Sequence, residues 1–456
     1  MPNKKIVCLG GGSLYFPGAI ADLVVRKDLA ESEIVLYDID PEKARQVADT
    51  GSRLAKDAAT GMTVSVADEL PAALDGADFA ISSIGGSGAA IAPSVYGTFY
   101  HAADMHIAAK YGLCQVIGDT GGPAGMMMGM RAVGAYLEIC EQMEKYCPRA
   151  ILFSHSNPMA ILCRAMTKYS DIQVIGICHG VQETIRRIAE TLNLPAAELN
   201  CRWIGTNHYY WFTRVGHLGR DLTDELLAKV TELSEDESDN LWRRLSAAYG
   251  VVVGIPSNNH LIEFYPWATR VKRLDDLPAD LAACARRHGF DDTKPMPARQ
   301  PTDEMRTKLQ MQYRQALDAA QLPPEPDDTN WLAGEGLARI IAAISHHRRY
   351  VCIVNIPNDG LIPNLPATAI VEVEALTDST GVRGIAVGDC PLALKGLLEK
   401  RLAWQEMVVD AAATGDRRLA LQAMLLDEMS LSPQDNQAML EELLLASRDR
   451  LPQFFT

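Results

Sequence analysis

The stretch KIVCLGGGS, residues 5–13, decides the fold. An apolar run rich in β-branched residues passes directly into three glycines and a serine, and residues 19–26 have helical periodicity. Glycines let the backbone approach a pyrophosphate, and the N-terminus of the next helix offers free N–H donors and the positive end of its dipole. The stretch predicts a strand, a turn and a helix that bind a nucleotide. It is not a full GxGxxG, because Tyr15 stands at the third glycine position, and such a turn can also have no ligand.

A carboxylate at the end of the second predicted strand supports the nucleotide interpretation. Asp38 follows Leu36 and Tyr37, where a carboxylate can accept both hydrogen bonds of an adenosine ribose and repels a 2′-phosphate. We therefore expect NAD rather than NADP. The residues expected to contact NAD are Gly10, Gly11, Gly12, Ser13, Asp38 and Gly85, the last in a second glycine-rich turn.

The first part of the chain alternates short β-branched runs with helical periodicity, as in parallel sheets whose strands are joined by helices. The predicted strands cover residues 5–9, 33–38, 78–84, 150–153 and 173–178. Several end in Gly, Ser, Asn or Asp at the edge where open α/β sheets bind ligands. We predict an α/β fold whose first domain, residues 1–200, is a Rossmann-type NAD-binding domain.

After residue 200 the pattern changes. Residues 222–249 and 392–413 have helical periodicity, and residues 350–356 and 369–376 resemble strands. Residues 275–328 are rich in proline and charge, which predicts an irregular or mobile segment. We predict that residues 201–456 form a mixed α+β domain for substrate and metal binding and for oligomerisation.

The composition excludes several kinds of partner. With 43 Lys and Arg against 58 Asp and Glu, the formal charge is −15, and no basic stripe suited to nucleic acid is present. No window approaches the ~20 apolar residues of a membrane span. The ten cysteines are scattered without a CxxC pair, which is typical of reduced thiols and predicts a cytoplasmic protein.

Metal-ligating residue types follow the predicted sheet. Cys178 comes just after a strand, and His208 follows further along the chain. A thiolate and an imidazole suit a borderline or moderately soft divalent ion, although an isolated Cys and His are more often structural. Asn157, after the fourth predicted strand, adds an amide at the same edge, or forms a simple turn.

These residues belong to an ordered set of motifs that resembles glycoside hydrolase family 4. The set comprises Gly10–Ser13, Asp38, Gly118-Asp119-Thr120, Gly122-Pro123, Asn157-Pro158, Cys178-His179, Asn207-His208, Asn358-Asp359-Gly360 and Asn364-Leu365-Pro366. The resemblance covers nearly the whole chain and implies a nucleotide domain like that of lactate and malate dehydrogenases. It also implies a glycosidase that departs from the two-carboxylate scheme.

The resemblance implies a redox mechanism. NAD⁺ takes a hydride from C3 of the sugar, a base then removes the acidified C2 proton, and a divalent metal on O2 and O3 stabilises the resulting charge. The aglycone leaves C1 by elimination, water adds, and the hydride returns to C3. Mn²⁺ is the expected metal, and NAD is regenerated in each turnover.

The resemblance also implies residue roles. Cys178 and His208 match the metal ligands, and the expected substrate contacts are Asn157, Asp119 and Asn207. His179 either protonates the leaving oxygen or only binds the sugar. Phosphosugar-cleaving members place a catalytic tyrosine where this chain has His260, so the base is His260 or, second, Tyr265. His260 is otherwise a structural residue.

The run Cys178–Gln182 is closer to members that act on unphosphorylated sugars, namely α-galactosidases, α-glucuronidases and α-galacturonidases. We expect a small-molecule α-hexoside or α-hexuronide as substrate, and a homodimer or homotetramer. One departure is Met128, where relatives usually carry arginine.

Two other functions remain open from the sequence. A lactate- or malate-type dehydrogenase would use Arg131 to hold a carboxylate, with Asp119 beside a histidine, and would leave Cys178 and His208 idle. A non-catalytic nucleotide sensor would bind NAD and sugar without turnover.

Overall fold

The computed structural model describes residues 4–84, 99–232, 240–255, 257–288, 290–296, 302–324, 326, 332 and 334–456. The strands are β1 (Lys5–Leu9), β2 (Glu33–Tyr37), β3 (Thr63–Val66), β4 (Phe79–Ser82), β5 (Ile151–Ser154), β6 (Gln173–Gly176), β7 (Leu199–Thr206), β8 (Tyr209–His217), β9 (Arg220–Asp221), β10 (Val252–Val253), β11 (Val351–Pro357), β12 (Ile370–Asp378) and β13 (Gly381–Gly384). The α-helices are α1 (Phe16–Val24), α2 (Pro41–Ala58), α3 (Leu70–Leu74), α4 (Phe99–Lys110), α5 (Gly122–Tyr146), α6 (Met159–Tyr169), α7 (Gly180–Leu192), α8 (Thr223–Glu232), α9 (Asn240–Tyr249), α10 (Asn258–Leu261), α11 (Ala279–Arg287), α12 (Asp303–Asp318), α13 (Leu337–Ser345), α14 (Leu392–Thr414), α15 (Arg417–Leu426) and α16 (Pro433–Ala446).

The main sheet has the order β13-β12-β11-β6-β5-β4-β1-β2-β3. Its strands from β3 to β6 are parallel and follow the 3-2-1-4-5-6 order of dinucleotide-binding domains. The predicted α/β, Rossmann-type fold is therefore confirmed.

Both faces of this sheet are covered, which explains why its central strands are apolar runs rather than alternating sequences. Ile6 and Cys8 of β1 point into one apolar cluster, which includes residues of α1, α2 and α7. Val7 and Leu9 point into the opposite cluster, formed with α5, α6 and α14. No helix in the described part of the chain combines the length and the apolar character that a membrane span requires.

The second half of the chain contributes to both sheets. The hairpin β7–β8 pairs with β9 and β10 in a smaller antiparallel sheet. Strands β11 to β13 extend the nucleotide-binding sheet, with Asn355 of β11 opposite Gly176 of β6. The division at residue 200 stays a prediction.

The prediction that residues 275–328 are irregular was wrong for two helices, α11 and α12. Thr302 caps α12 by accepting from the backbone N–H of Met305, and acidic residues occupy its first turn, so local sequence favours the helix. Only Tyr313 and Leu317 of α12 are buried, so its apolar stripe is too narrow to stand out in the sequence.

The parallel register brings the functional motifs together. Ser82 of β4, Ser154 of β5 and Gly176 of β6 lie side by side. The segments that follow these strands therefore emerge at one edge of the sheet, and the 155–157 and 177–179 segments become neighbours.

Arg131 lies inside this fold and not at the edge of the sheet. Its guanidinium, on α5, donates to both carboxylate oxygens of Asp104 on α4, at 3.2 and 2.6 Å, and also to Ser447. The side chains of Arg131 and Asp104 are 1% and 0% exposed, so Arg131 cannot hold a substrate carboxylate. The arginine that a lactate- or malate-type dehydrogenase would need for its substrate is therefore part of the buried core.

We predict that Arg131→Met lowers the free energy of unfolding by about 3–5 kcal/mol, because it leaves the Asp104 carboxylate buried without its cation. The double substitution with Asp104→Leu should recover most of this loss. Urea unfolding of the single and double variants measures the free energy of unfolding of each. The control is Arg214→Met, since Arg214 and its partner Asp221 are about half exposed, and a much smaller change is expected because water screens this pair. Equal losses at Arg131 and Arg214 would contradict the assignment.

Candidate active site

A cavity of about 810 Å³ opens at the carboxyl edge of the sheet. Its walls combine segments after β5 and β6 with the β7–β8 turn and the α10 region. The walls include Asp119, His155, Asn157, Cys178, His179, His208, His260 and Glu335. The structure thus brings together most of the predicted catalytic, substrate and metal residues.

Cys178 and His208 meet at the floor of this cavity. Sγ of Cys178 lies 3.5 Å from Nε2 of His208, and both side chains are buried. One ion can bond to both atoms, because metal–sulfur and metal–nitrogen bonds are about 2.3 and about 2.1 Å long. His208 has φ of 62°, a left-handed conformation that recurs at functional sites.

The chemistry of this pair also fits a metal. Burial, reinforced by the charge of Glu372, raises the pKa of the Cys178 thiol to about 12. A thiolate therefore needs a cation beside it. Within the described residues no group of three or more His, Cys, Asp or Glu side chains is placed to hold an ion. A metal at the Cys178–His208 pair would therefore need further ligands from other groups, such as water or substrate oxygens.

Two of the three predicted substrate contacts face the cavity. The amide of Asn157 donates to Oδ2 of Asp119 at 2.9 Å. Oδ1 of Asp119 is buried with no hydrogen-bond partner among the described residues, so it can accept from a sugar hydroxyl. Asn207 does not line the cavity and lies beside Cys178 and Glu372. This position favours support of the metal ligand over the predicted contact with the sugar.

His179 belongs to a chain of hydrogen bonds that the sequence did not indicate. Its Nδ1 lies 3.2 Å from Oε1 of Glu335. Nδ1 of His155 lies 2.9 Å from the other carboxylate oxygen, and Nε2 of His155 lies 2.7 Å from the Tyr15 hydroxyl. Glu335 therefore orients two histidines at the wall of the cavity.

Within this chain of hydrogen bonds, Glu335 and His179 shift each other's pKa. Burial alone would raise the pKa of Glu335, but hydrogen bonds from His155 and His179 and their charges hold it at about 2. The hydrogen bond to Glu335, reinforced by the charges of Glu335 and Glu183, raises the pKa of His179 to about 9. At neutral pH, His179 is a cation that can donate a proton.

The two candidates for the base differ in position. His260 lines the cavity, its ring centroid is 5.2 Å from that of His208, and its Nδ1 is buried without a hydrogen-bond partner among the described residues. Burial and the nearby His208 lower the pKa of His260 to about 4, so it is a neutral imidazole at pH 7. Tyr265 does not line the cavity and packs against Tyr209 and Trp267, so its position favours His260.

The glycine-rich turn is packed closely against Ser83 and Asp38. Gly10 has φ of 77°, and a Cβ there would lie 2.4 Å from the Ser83 carbonyl oxygen, so only glycine fits. The N–H of Gly12 donates to Oδ2 of Asp38 at 2.9 Å. Asp38 therefore lies directly against the turn. Gly85 lies outside the described residues, and its contact stays a prediction.

Comparison with known proteins decides the family. A model of the Family 4 glycosyl hydrolases matches residues 5–194, and a model of the Family 4 glycosyl hydrolase C-terminal domain matches residues 203–429. The chain is a family 4 glycosyl hydrolase. The predicted family is thus confirmed.

Individual relatives of this family 4 enzyme match it end to end. It is 28% identical to an α-galactosidase of Bacillus subtilis, over 99% of this chain and 100% of that protein. It is 27% identical to an α-galacturonidase of Lachnoclostridium phytofermentans, over 99% of this chain and 97% of that protein. A 6-phospho-β-glucosidase of Thermotoga maritima, solved with manganese, NAD⁺ and glucose-6-phosphate, has the same fold, with a TM-score of 0.76 and 23% identity over 98% of this chain and 99% of that one.

Glu335 and Tyr15 were not predicted as site residues, although Glu335 lines the cavity and Tyr15 is hydrogen-bonded to His155 at its wall. Glu335 stands between two glycines just before α13, and Tyr15 precedes α1. An acidic residue flanked by glycines was the available signal for Glu335. Its histidine partners are far away in the sequence, so only the fold identifies its role.

We predict that Glu335→Gln destabilises the metal-free enzyme most between about pH 4.5 and pH 6.5. The His179 pKa rises from 6.5 to about 9 on folding, so this stabilisation is complete below 6.5 and is lost as pH rises through 9. The Glu335 pKa falls from 4.5 to about 2, so its share is complete above 4.5 and is lost towards pH 2. Urea unfolding at about pH 5.5 and about pH 9.5 measures the difference.

The control for this series is Glu183→Gln. Glu183 is 67% exposed and lies 3.8 Å from the other ring nitrogen of His179, so screening by water should make its effect small at both pH values. A Glu335→Gln effect that stays constant from pH 5.5 to 9.5 would show that the ion pair does not form.

Proposed function

We propose that this family 4 enzyme hydrolyses an unphosphorylated α-hexoside or α-hexuronide by elimination, using bound NAD and a divalent metal, Mn²⁺. The observation that carries the proposal is the buried Cys178–His208 pair in a cavity whose wall residue His155 is hydrogen-bonded to Tyr15, just after the glycine-rich turn. The NAD⁺ and manganese in the structure of the Thermotoga maritima relative support the same two groups here.

In this proposal Cys178 and His208 hold the metal, while Gly10 to Ser13 and Asp38 hold NAD. When bound, NAD would supply reversible hydride transfer at C3, and the metal would supply Lewis-acid polarisation of O2 and O3. The protein residues at the cavity then bind the sugar or transfer protons.

Asp119 and Asn157 bind the sugar hydroxyls at the cavity wall. The neutral His260 accepts the proton from C2 through a ring nitrogen. His179, held as a cation by Glu335, donates a proton to the leaving oxygen. One neutral imidazole and one imidazolium in the same cavity give the acid and the base that an elimination needs.

The choice of an unphosphorylated sugar rests on the cations of the cavity. Arg186 and Arg187 of α7 line it, but each already has partners. Arg186 donates to the Leu332 carbonyl at 2.6 Å, and Arg187 lies 3.5 Å from Glu190 and over the Trp242 ring. Arginine commonly binds a phosphate with two parallel N–H donors of one guanidinium, and these partners already occupy some of the donors of Arg186 and Arg187. The names of the α-galactosidase and α-galacturonidase relatives support the same choice.

We also propose a cytoplasmic location. All ten cysteines lie in described residues, and all are buried free thiols, which suits a reducing compartment. A homodimer or homotetramer stays a prediction.

We predict that Cys178→Ser abolishes turnover while NAD still binds, because the neutral serine hydroxyl lacks the negative charge with which a thiolate holds a metal ion. Chelator should also abolish the wild-type activity, and Mn²⁺ should restore it. The assay is release of the aryl group from a panel of aryl α-hexosides and α-hexuronides with NAD. The matched control is Cys201→Ser, a buried cysteine on β7 that should retain activity. Turnover that survives chelation would contradict the metal assignment, and one NADH formed per product would indicate a dehydrogenase.

A further inference from the structure

A tyrosine from the second half of the chain lies on the nucleotide turn. The hydroxyl of Tyr313, on α12, donates to the backbone carbonyl of Gly12 at 2.5 Å. Tyr313 is only 5% exposed, and its ring belongs to the apolar cluster that also contains Phe16 and Ile20 of α1. Helix α12 therefore covers the turn from the side of α2.

The contact leaves the phosphate-binding groups of the turn free. Pyrophosphate is bound by N–H donors and by a helix N-terminus, whereas Tyr313 uses a carbonyl oxygen. Burial and the charges of Asp38 and Asp40 raise the pKa of Tyr313, so its hydroxyl remains a donor. Tyr313 is thus a neighbour of the nucleotide site and not a competitor for its N–H groups.

Asp38, beside Tyr313, keeps room for a ribose. Its carboxylate accepts from the N–H groups of Gly12 and Asp40, at 2.9 and 2.8 Å. A carboxylate has about four lone-pair positions, so two remain for the ribose hydroxyls. The adenosine half of a dinucleotide would therefore lie between Asp38 and the covering helix.

Few side chains of helix α12 are buried. Besides Tyr313, Leu317 is buried, and Arg53 of α2 donates to the Ala320 carbonyl just after the helix at 3.0 Å. Met305 and Met311 are about half exposed, at 50% and 59%. Because only Tyr313 and Leu317 of this helix are buried among the described residues, α12 can separate from the turn without unfolding the sheet.

We propose that Tyr313 retains the cofactor. Helix α12 forms the outer wall of the NAD site, and the hydrogen bond from the Tyr313 hydroxyl to the Gly12 carbonyl slows NAD release. This inference rests on the proposed function. A cofactor that is regenerated in each turnover has no need to leave, unlike the cofactor of a dehydrogenase, so slow release costs such an enzyme nothing in rate.

The test is the dissociation rate of NADH from metal-free enzyme, measured by stopped-flow fluorescence after mixing with excess NAD. Tyr313→Phe removes the hydroxyl and keeps the ring, and release should accelerate about 3- to 10-fold, the effect of one lost hydrogen bond. Tyr313→Ala should accelerate it further. Arg53→Ala, which removes the second attachment, should act in the same direction. The control, Met311→Ala on the exposed face of α12, should leave the rate unchanged.

The outcomes separate this inference from the proposed function. Wild-type enzyme that binds no NADH would overturn both the proposed function and the retention role of Tyr313. Wild-type enzyme that binds NADH, with release unchanged or slower in Tyr313→Phe, would overturn the retention role alone and show that Tyr313 obstructs the site or is only structural. If Tyr313→Ala does not fold, Tyr313→Phe and Arg53→Ala still decide the question.

Discussion

The arrangement of the active site depends on one contact, between Sγ of Cys178 and Nε2 of His208. Cys178 follows the last parallel strand of the nucleotide sheet, and His208 lies in the turn of a hairpin from the second sheet. Both side chains are buried, and the left-handed backbone at His208 is maintained only while the hairpin packs in place. The contact therefore joins the two sheets, and a metal bound to both side chains would lie at the edge where an open α/β sheet binds its ligands.

Two histidines close to this pair, His179 and His260, have pKa values shifted in opposite directions. Glu335 makes His179 a cation, whereas burial near His208 keeps His260 neutral. The same residue type thus has opposite protonation states at neutral pH according to its surroundings. Both the glutamate and Tyr313 belong to the part of the chain that follows α11, and both lie against the nucleotide half of the molecule.

The features predictable from sequence are those that local chemistry determines. The Gly10–Ser13 turn, Asp38 and the residues after the parallel strands could be identified because strand, turn and helix signals are adjacent in the chain. The hairpin β7–β8 was not predicted as strands, and α12 was taken for irregular chain, because its buried stripe is narrow. The roles of Glu335 and Tyr313 depend on partners far away in sequence, so no local pattern could reveal them. The placement of Asn207 behind the cysteine likewise follows from packing and not from its motif.

The central claim is that this enzyme cleaves glycosides by elimination, with proton removal at C2, and not by direct displacement at C1. Hydrolysis in deuterated water, followed by NMR of the released sugar, tests this most directly. We expect deuterium at C2 of the product and no net NADH, because His260 exchanges its proton with solvent before water adds. A product formed at full rate with its original C2 hydrogen would contradict the account.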